Sequence, residues 1–170
     1  NNTFGTFIHS TLEELYLPHA RFDKAGVEKA TIPGPIKSSD IDKMLGYFEV
    51  VLTDQFMKHF NQDRSAFTKG KNYLSFKMAH DLIKRYLQSE KKFLENQTEP
   101  VCILSLEREY ESEIEVEVFG ELKKVRLRGY IDRIDQVGDK VRVIDYKSGK
   151  VSNNDVTYKA KTDPEEVFNS

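Results

Sequence analysis

Asp145 and Lys147 stand two residues apart in Val141-Arg142-Val143-Ile144-Asp145-Tyr146-Lys147, a stretch that alternates as a strand does. Alternate residues of a strand share a face, so Asp145 and Lys147 continue the row begun by Val141 and Val143. An acid and a base that extend an apolar row are costly to bury unless they pair or bind something. Ser148-Gly149 follows at once, which predicts that both side chains project from a strand end into a concave place. The block Gly129-Tyr130-Ile131-Asp132-Arg133-Ile134-Asp135 comes just before. A tight turn over residues 136–139 would pair the two stretches antiparallel and bring Asp132 within reach of Asp145 or its near neighbours. Two carboxylates held together repel, and one of them gains a proton unless a cation lies between them. Mg²⁺ or Mn²⁺ would relieve that repulsion through oxygen ligands. Such an ion activates water and neutralises charge on a phosphoryl oxygen, and a neighbouring lysine adds a compact positive charge. The triplet alone is a weak signal. Glu90-Lys91-Lys92 and Glu121-Leu122-Lys123 repeat the pattern and read as solvated surface, and structural ion pairs also gather at strand ends.

The elements that must position these residues follow from hydrophobic period. Thr3 to Leu17 reads as a helix, with Phe7, Ile8, Leu12, Leu15 and Tyr16 at helical spacing and Pro18 ending it. Residues 18–38 form a connection broken at Pro33-Gly34-Pro35. Ser39 followed by Asp42 predicts a helix start, and Ile41, Met44, Leu45, Phe48, Leu52 and Phe56 line one side of that helix. Asn61 to Lys71 is polar and reads as a loop. A second long helix runs from Tyr73 to about Glu95; its Lys77, Lys84, Arg85, Lys91 and Lys92 form a basic face, read first as solvated and second as a phosphate track. From Val101 the period becomes two. Strands are expected over Val101–Tyr110, Ile114–Phe119, Lys123–Asp135 and Lys140–Lys147, with turns at Phe119-Gly120-Glu121 and Val137-Gly138-Asp139. Helices followed by strands predict one α/β domain, a mixed sheet flanked by helices: residues 1–97 mainly helical, 98–149 a β-meander, and 150–170 a polar tail. Asp163-Pro164-Glu165-Glu166 reads as the start of a helix.

Composition removes several classes. With 38% hydrophobic and 32% charged residues over 170, the chain should fold as a soluble, cytoplasmic protein. No membrane-spanning run or secretory signal is visible, and the missing initiator Met suggests a piece of a larger or processed protein. The single cysteine, Cys102, lies in an apolar run, reads as a buried small hydrophobe, and cannot supply a disulfide or an iron–sulfur cluster within this chain. A net charge of −2 excludes a large basic surface, although local basic residues around metal-bound carboxylates remain compatible with nucleic acid. His19, His59 and His80 lack partners at zinc spacing, and Gly70-Lys71 lacks the frame of a P-loop.

Three features add weight to Asp145-Tyr146-Lys147: the Asp132 block beside it, the opening Gly5-Thr6-Phe7-Ile8-His9-Ser10-Thr11-Leu12-Glu13-Glu14-Leu15, and Glu107 on the first strand. Over about residues 5–149 this combination resembles the PD-(D/E)XK nuclease superfamily, in its RecB/AddB-like exonuclease branch. The resemblance implies a restriction-endonuclease-like core. It assigns His9, Asp132 and Asp145 to one or two Mg²⁺ or Mn²⁺ ions, Lys147 to catalysis, and the Tyr146 carbonyl to the metal shell. Glu107 matches an additional metal-binding acid of the family, with Glu109, Glu111 or no acid on that strand as alternatives. The implied reaction is metal-assisted DNA hydrolysis in end processing, recombination or repair, beside a helicase subunit or domain. The Gln-x-x-x-Tyr helix usual after the lysine strand is missing, since no Gln follows Gln136, and its place would lie beyond Ser170. Two other readings stay open. One is a DNA-binding or scaffolding module with a lapsed site; the other is a purely structural domain that binds neither metal nor DNA.

Overall fold

Apolar residues at positions 7, 8, 12 and 15 recur every three or four residues, which places them on one stripe of a helix. In the computed structural model, which describes residues 3–60 and 71–147, that helix is α1, Thr3–Tyr16. A 3₁₀ turn at Leu17–His19 ends it, around the proline that cannot continue the ladder. The chain then runs beside a strand: the amides of Arg21 and Phe22 donate to the carbonyls of Ile103 and Leu104 at 2.9 and 3.0 Å. The Ala20–Ile103 bridge is parallel but isolated and lies outside the three-stranded sheet, which is antiparallel and not the mixed sheet expected.

Helix α2 spans Ser38–His59. Its start differs from expectation. The Asp40 carboxylate, not a Ser39/Asp42 pair, accepts the backbone N–H of Lys37 at 3.0 Å. The cap therefore lies earlier, because a third-position acid can reach back to the amide that precedes the first turn. Ile41, Met44, Phe48, Leu52 and Phe56 are buried along its apolar stripe. Helix α3, Lys71–Glu95, buries Ala79, Ile83 and Leu87. The three helices meet through edge-on rings, Phe7–Phe56 and Phe56–Phe76, each with centroids 5.3 Å apart. Full burial of a side chain such as Phe7 or Phe56 contributes about 1.5–3 kcal/mol. Lys77, Lys84, Arg85 and Lys92 of the basic face are exposed, and Lys91 pairs with Asp42 of α2 at 2.7 Å. No described helix is long and apolar enough to cross a membrane.

The sheet has order β1-β2-β3, all antiparallel, from Val101–Val118, Glu121–Val137 and Lys140–Ile144. The four expected strands are three, because Val101–Tyr110 and Ile114–Phe119 join into one. The charged residues between them do not break the strand, since each acid has a base across the ladder. Arg128 pairs with Glu109, Arg126 with Glu111 at 2.8 Å, and Lys124 with Glu113 at 3.0 Å. The hairpin turns at Phe119-Gly120, both with positive φ (54° and 82°), the sign that matches strand twist. Val141 and Val143 are 65% and 60% exposed, so the row they form is not buried. Alternation turns them away from the helices. The opposite face of β3 carries Ile144, packed against the core, and Arg142, bonded to Glu90 of α3 at 2.7 Å. Cys102 is half-buried rather than fully inside. Of the loop expected over Asn61 to Lys71, residues 61–70 lie outside the described residues and Lys71 already belongs to α3; the tail with its helix start at Pro164 also lies outside them.

Candidate metal centre

His9 sits on the second turn of α1, on the half-buried margin beside Ile8 and Leu12. Burial of that stripe carries the imidazole to the sheet, where it meets β1 and the end of β3. Its Nε2–H donates to the Tyr146 carbonyl at 2.9 Å. Its Nδ1 lies 3.1 Å from Glu107 Oε1 and 3.6 Å from Asp132 Oδ1. Glu107 and Asp132 face each other through the strand register, since Leu106 pairs with Arg133 and Arg108 with Ile131 on either side of them. Glu107 has a φ of 43°, a left-handed conformation unusual for a residue with a side chain. Asp132 is buried, and its Oδ2 accepts the Tyr146 amide. Tyr146 therefore grips both partners, the acid through its N–H and the histidine through its carbonyl. Its ring is also buried, edge-on to His9 at 5.7 Å and to Tyr86 at 5.3 Å.

His9, Glu107 and Asp132 each offer a ligand atom, and these atoms all lie within 4.8 Å of one another. One imidazole nitrogen and two carboxylates make a hard, mostly oxygen donor set that fits a divalent ion such as Mg²⁺ or Mn²⁺. The acids are held at a charge cost. Burial raises the pKa of Asp132, and the charges of Glu107 and Asp145 push it further up; the Tyr146 amide and His9 oppose them. The bond to Glu107 is the largest influence on His9 and raises its pKa against the effect of burial; Asp132, the Glu107 charge and the Tyr146 carbonyl add to the rise. An imidazolium donates from both nitrogens, to Glu107 and to Tyr146; coordinating an ion would require it to give up one of those protons.

Asp145 and Lys147 lie just past β3 and are paired to each other at 2.6 Å, with side chains 57% and 64% exposed. The Asp145 carboxylate is thus beside the cluster, near enough to raise the pKa of Asp132, but is not one of the three converging groups. The bond to Asp145 raises the pKa of Lys147, so the lysine is charged at neutral pH. Of the acids weighed on β1, Glu107 reaches the cluster. Glu109 and Glu111 are exposed and paired with arginines of β2.

Over residues 1–164 the sequence matches the PD-(D/E)XK nuclease superfamily. The chain belongs to that superfamily. No curated protein and no solved structure gave a match. Members of the PD-(D/E)XK superfamily are nucleases that use divalent metals, and the mixed α/β architecture is consistent with their restriction-endonuclease-like fold. The sequence reading missed one group. Glu90, taken as solvated, is 3% exposed and pairs with Arg133 of β2 at 2.7 Å. Helical spacing held the signal, since Glu90 follows Ile83 and Leu87 on the buried stripe of α3.

Proposed function

We propose that this protein is a divalent-metal-dependent DNA nuclease in which His9, Glu107, Asp132 and Asp145 hold the ion or ions and Lys147 serves the chemistry. The observation that carries the reading is the convergence of His9, Glu107 and Asp132 from α1, β1 and β2 within 4.8 Å in a PD-(D/E)XK chain. When bound, a divalent ion supplies Lewis-acid polarisation of a water and of the scissile phosphoryl group. Glu107 and Asp132 supply the negative charge that holds such an ion against competing solvent. The Tyr146 carbonyl, beside His9, offers one more oxygen. Lys147, fixed as a cation by Asp145, offsets the charge that grows on phosphoryl oxygens and orients the attacking water. Hydrolysis forms a bond from the water oxygen to phosphorus, with loss of a proton from the water, and breaks the bond to the leaving deoxyribose oxygen, which takes up a proton.

The Asp132 and Asp145-x-Lys147 blocks with His9 upstream favour the RecB/AddB-like exonuclease branch, acting at DNA ends beside a helicase. The test is a Mn²⁺ titration of the wild-type chain and of Asp132→Ala, followed by cleavage of end-labelled DNA with each. Saturable uptake and metal-dependent cleavage, both lost in the variant, are expected; unchanged uptake or cleavage in Asp132→Ala sinks the proposal. One observation favours a second reading, a lapsed DNA-binding module: Asp145 spends its carboxylate on Lys147 and stands outside the cluster. That reading predicts DNA affinity with no uptake of Mn²⁺.

A further inference from the structure

Arg133 follows Asp132 directly in β2, so their side chains leave opposite faces of the strand. The Arg133 side chain is wholly buried. Its Nε and Nη2 donate to the two oxygens of Asp135 at 2.7 and 2.9 Å, and its Nη1 lies 2.7 Å from Glu90 on α3. The other oxygen of Glu90 accepts from Arg142 of β3 at 2.7 Å. The guanidinium carbon stands 4.2 Å from the centre of the Tyr16 ring on α1. Burial raises the phenols of Tyr16, Tyr86 and Tyr146, which stay neutral, so two arginines face two carboxylates. One residue thus ties β2 to α1, α3 and, through Glu90, β3.

A buried ion cluster is a poor route to stability, since apolar residues of equal volume often do as well or better. The guanidinium differs from an apolar side chain in direction: its planar fork accepts one placement of its carboxylates. That direction leads to the metal centre twice. One route is the backbone of Asp132 itself. The other runs through Tyr86, whose hydroxyl lies 3.5 Å from Arg133 Nη1 and whose ring meets Tyr146, the residue that grips both Asp132 and His9. We propose that Arg133, clamped by Glu90 and Asp135, is a positioning residue that sets where the Asp132 carboxylate stands relative to Tyr146, His9 and Glu107. Its effect on metal rests on the function proposed above; its effect on the Asp132–Tyr146 contact does not.

Two variants of the full chain test this. Arg133→Lys keeps the charge and loses the fork. The triple variant Glu90→Gln, Arg133→Met, Asp135→Asn removes three charges at nearly constant volume. Hydrogen exchange of the Tyr146 amide reports its bond to Asp132 without metal or activity, and a Mn²⁺ titration reports the site. In both variants Tyr146 exchange should rise about tenfold relative to other β2 and β3 amides, and Mn²⁺ affinity should fall about tenfold, as for other residues that orient metal ligands. A residue that only stabilised the fold would lower the melting temperature and leave the relative exchange of Tyr146 unchanged; that result overturns the inference. So does wild-type behaviour in Arg133→Lys, because the fork would then be unnecessary. If both variants unfold, Glu90→Gln alone, which keeps shape and leaves Asp135 paired, carries the same exchange comparison. If the wild type takes up no Mn²⁺, the metal-centre reading fails and the Tyr146 exchange decides the positioning claim by itself.

Discussion

The left-handed backbone at Glu107 lends itself to a direct energetic test. A side chain in that conformation costs about 1–2 kcal/mol through the clash of Cβ with the following carbonyl. Glu107 has a φ of 43° inside a strand whose ladder continues on both sides. Glu107→Ala removes the carboxylate and its contact with His9 but keeps Cβ, and so keeps the strain. Glu107→Gly removes the same contacts and the strain together. Glycine carries its own penalty of about 0.5–1 kcal/mol in an ordinary strand. Setting strain relief of about 1.5 against a penalty of about 0.75 leaves Glu107→Gly roughly 0.5–1 kcal/mol more stable than Glu107→Ala. With a urea slope of about 2 kcal/mol per molar, the glycine variant should unfold about 0.4 M later. Both variants should lose Mn²⁺ uptake alike, because both lose the acid. An alanine variant as stable as the glycine variant, or more so, would refute the claim that strain is held at this acid. Strained residues of this kind cluster where geometry serves a ligand, so the same experiment links the backbone to the site.

Three other substitutions have clear expectations. Lys147→Ala breaks an exposed, solvent-screened pair with Asp145, so the urea midpoint should barely move, whereas metal-dependent DNA cleavage should fall about a hundredfold or more with Mn²⁺ uptake retained. Asp40→Ala should cost about 1 kcal/mol of the α2 cap at neutral pH. Burial pushes the Asp40 pKa up, but the Lys37 amide and Lys43 outweigh it and hold it below the ordinary 3.8. A depressed acid stabilises above its unfolded value, so the gap between wild type and variant in thermal melts should shrink as pH falls from 3.8 through the folded value. Leu52→Ala, at a wholly buried position on α2, should cost about 2–5 kcal/mol in urea unfolding.

Much of this architecture was legible because period and turn chemistry are local. The helical spacing of Phe7, Ile8, Leu12 and Leu15, the switch to alternation at Val101, and the Phe119-Gly120 and Gly138-Asp139 turns set the elements within a few residues. The same locality explains the errors. Charges between residues 110 and 114 looked like a break, yet they pair across a ladder that one strand does not reveal. Val141 and Val143 looked like a buried row, but alternation shows only that two residues share a face, and the helices cover the other one. Asp132, Asp145 and Lys147 stood out through residue type and spacing.

What sequence alone determined is the kind of donor present and the strands that carry it. Tertiary structure decided which donors meet. It brings His9 across 98 residues to Glu107, selects Glu107 over Glu109 and Glu111, and turns Asp145 toward Lys147. It also buries Glu90 beneath β2, against the look of its charged neighbours. Those outcomes depend on the packing of α1 and α3 against the sheet, a long-range result of burying apolar stripes that no window along the chain contains.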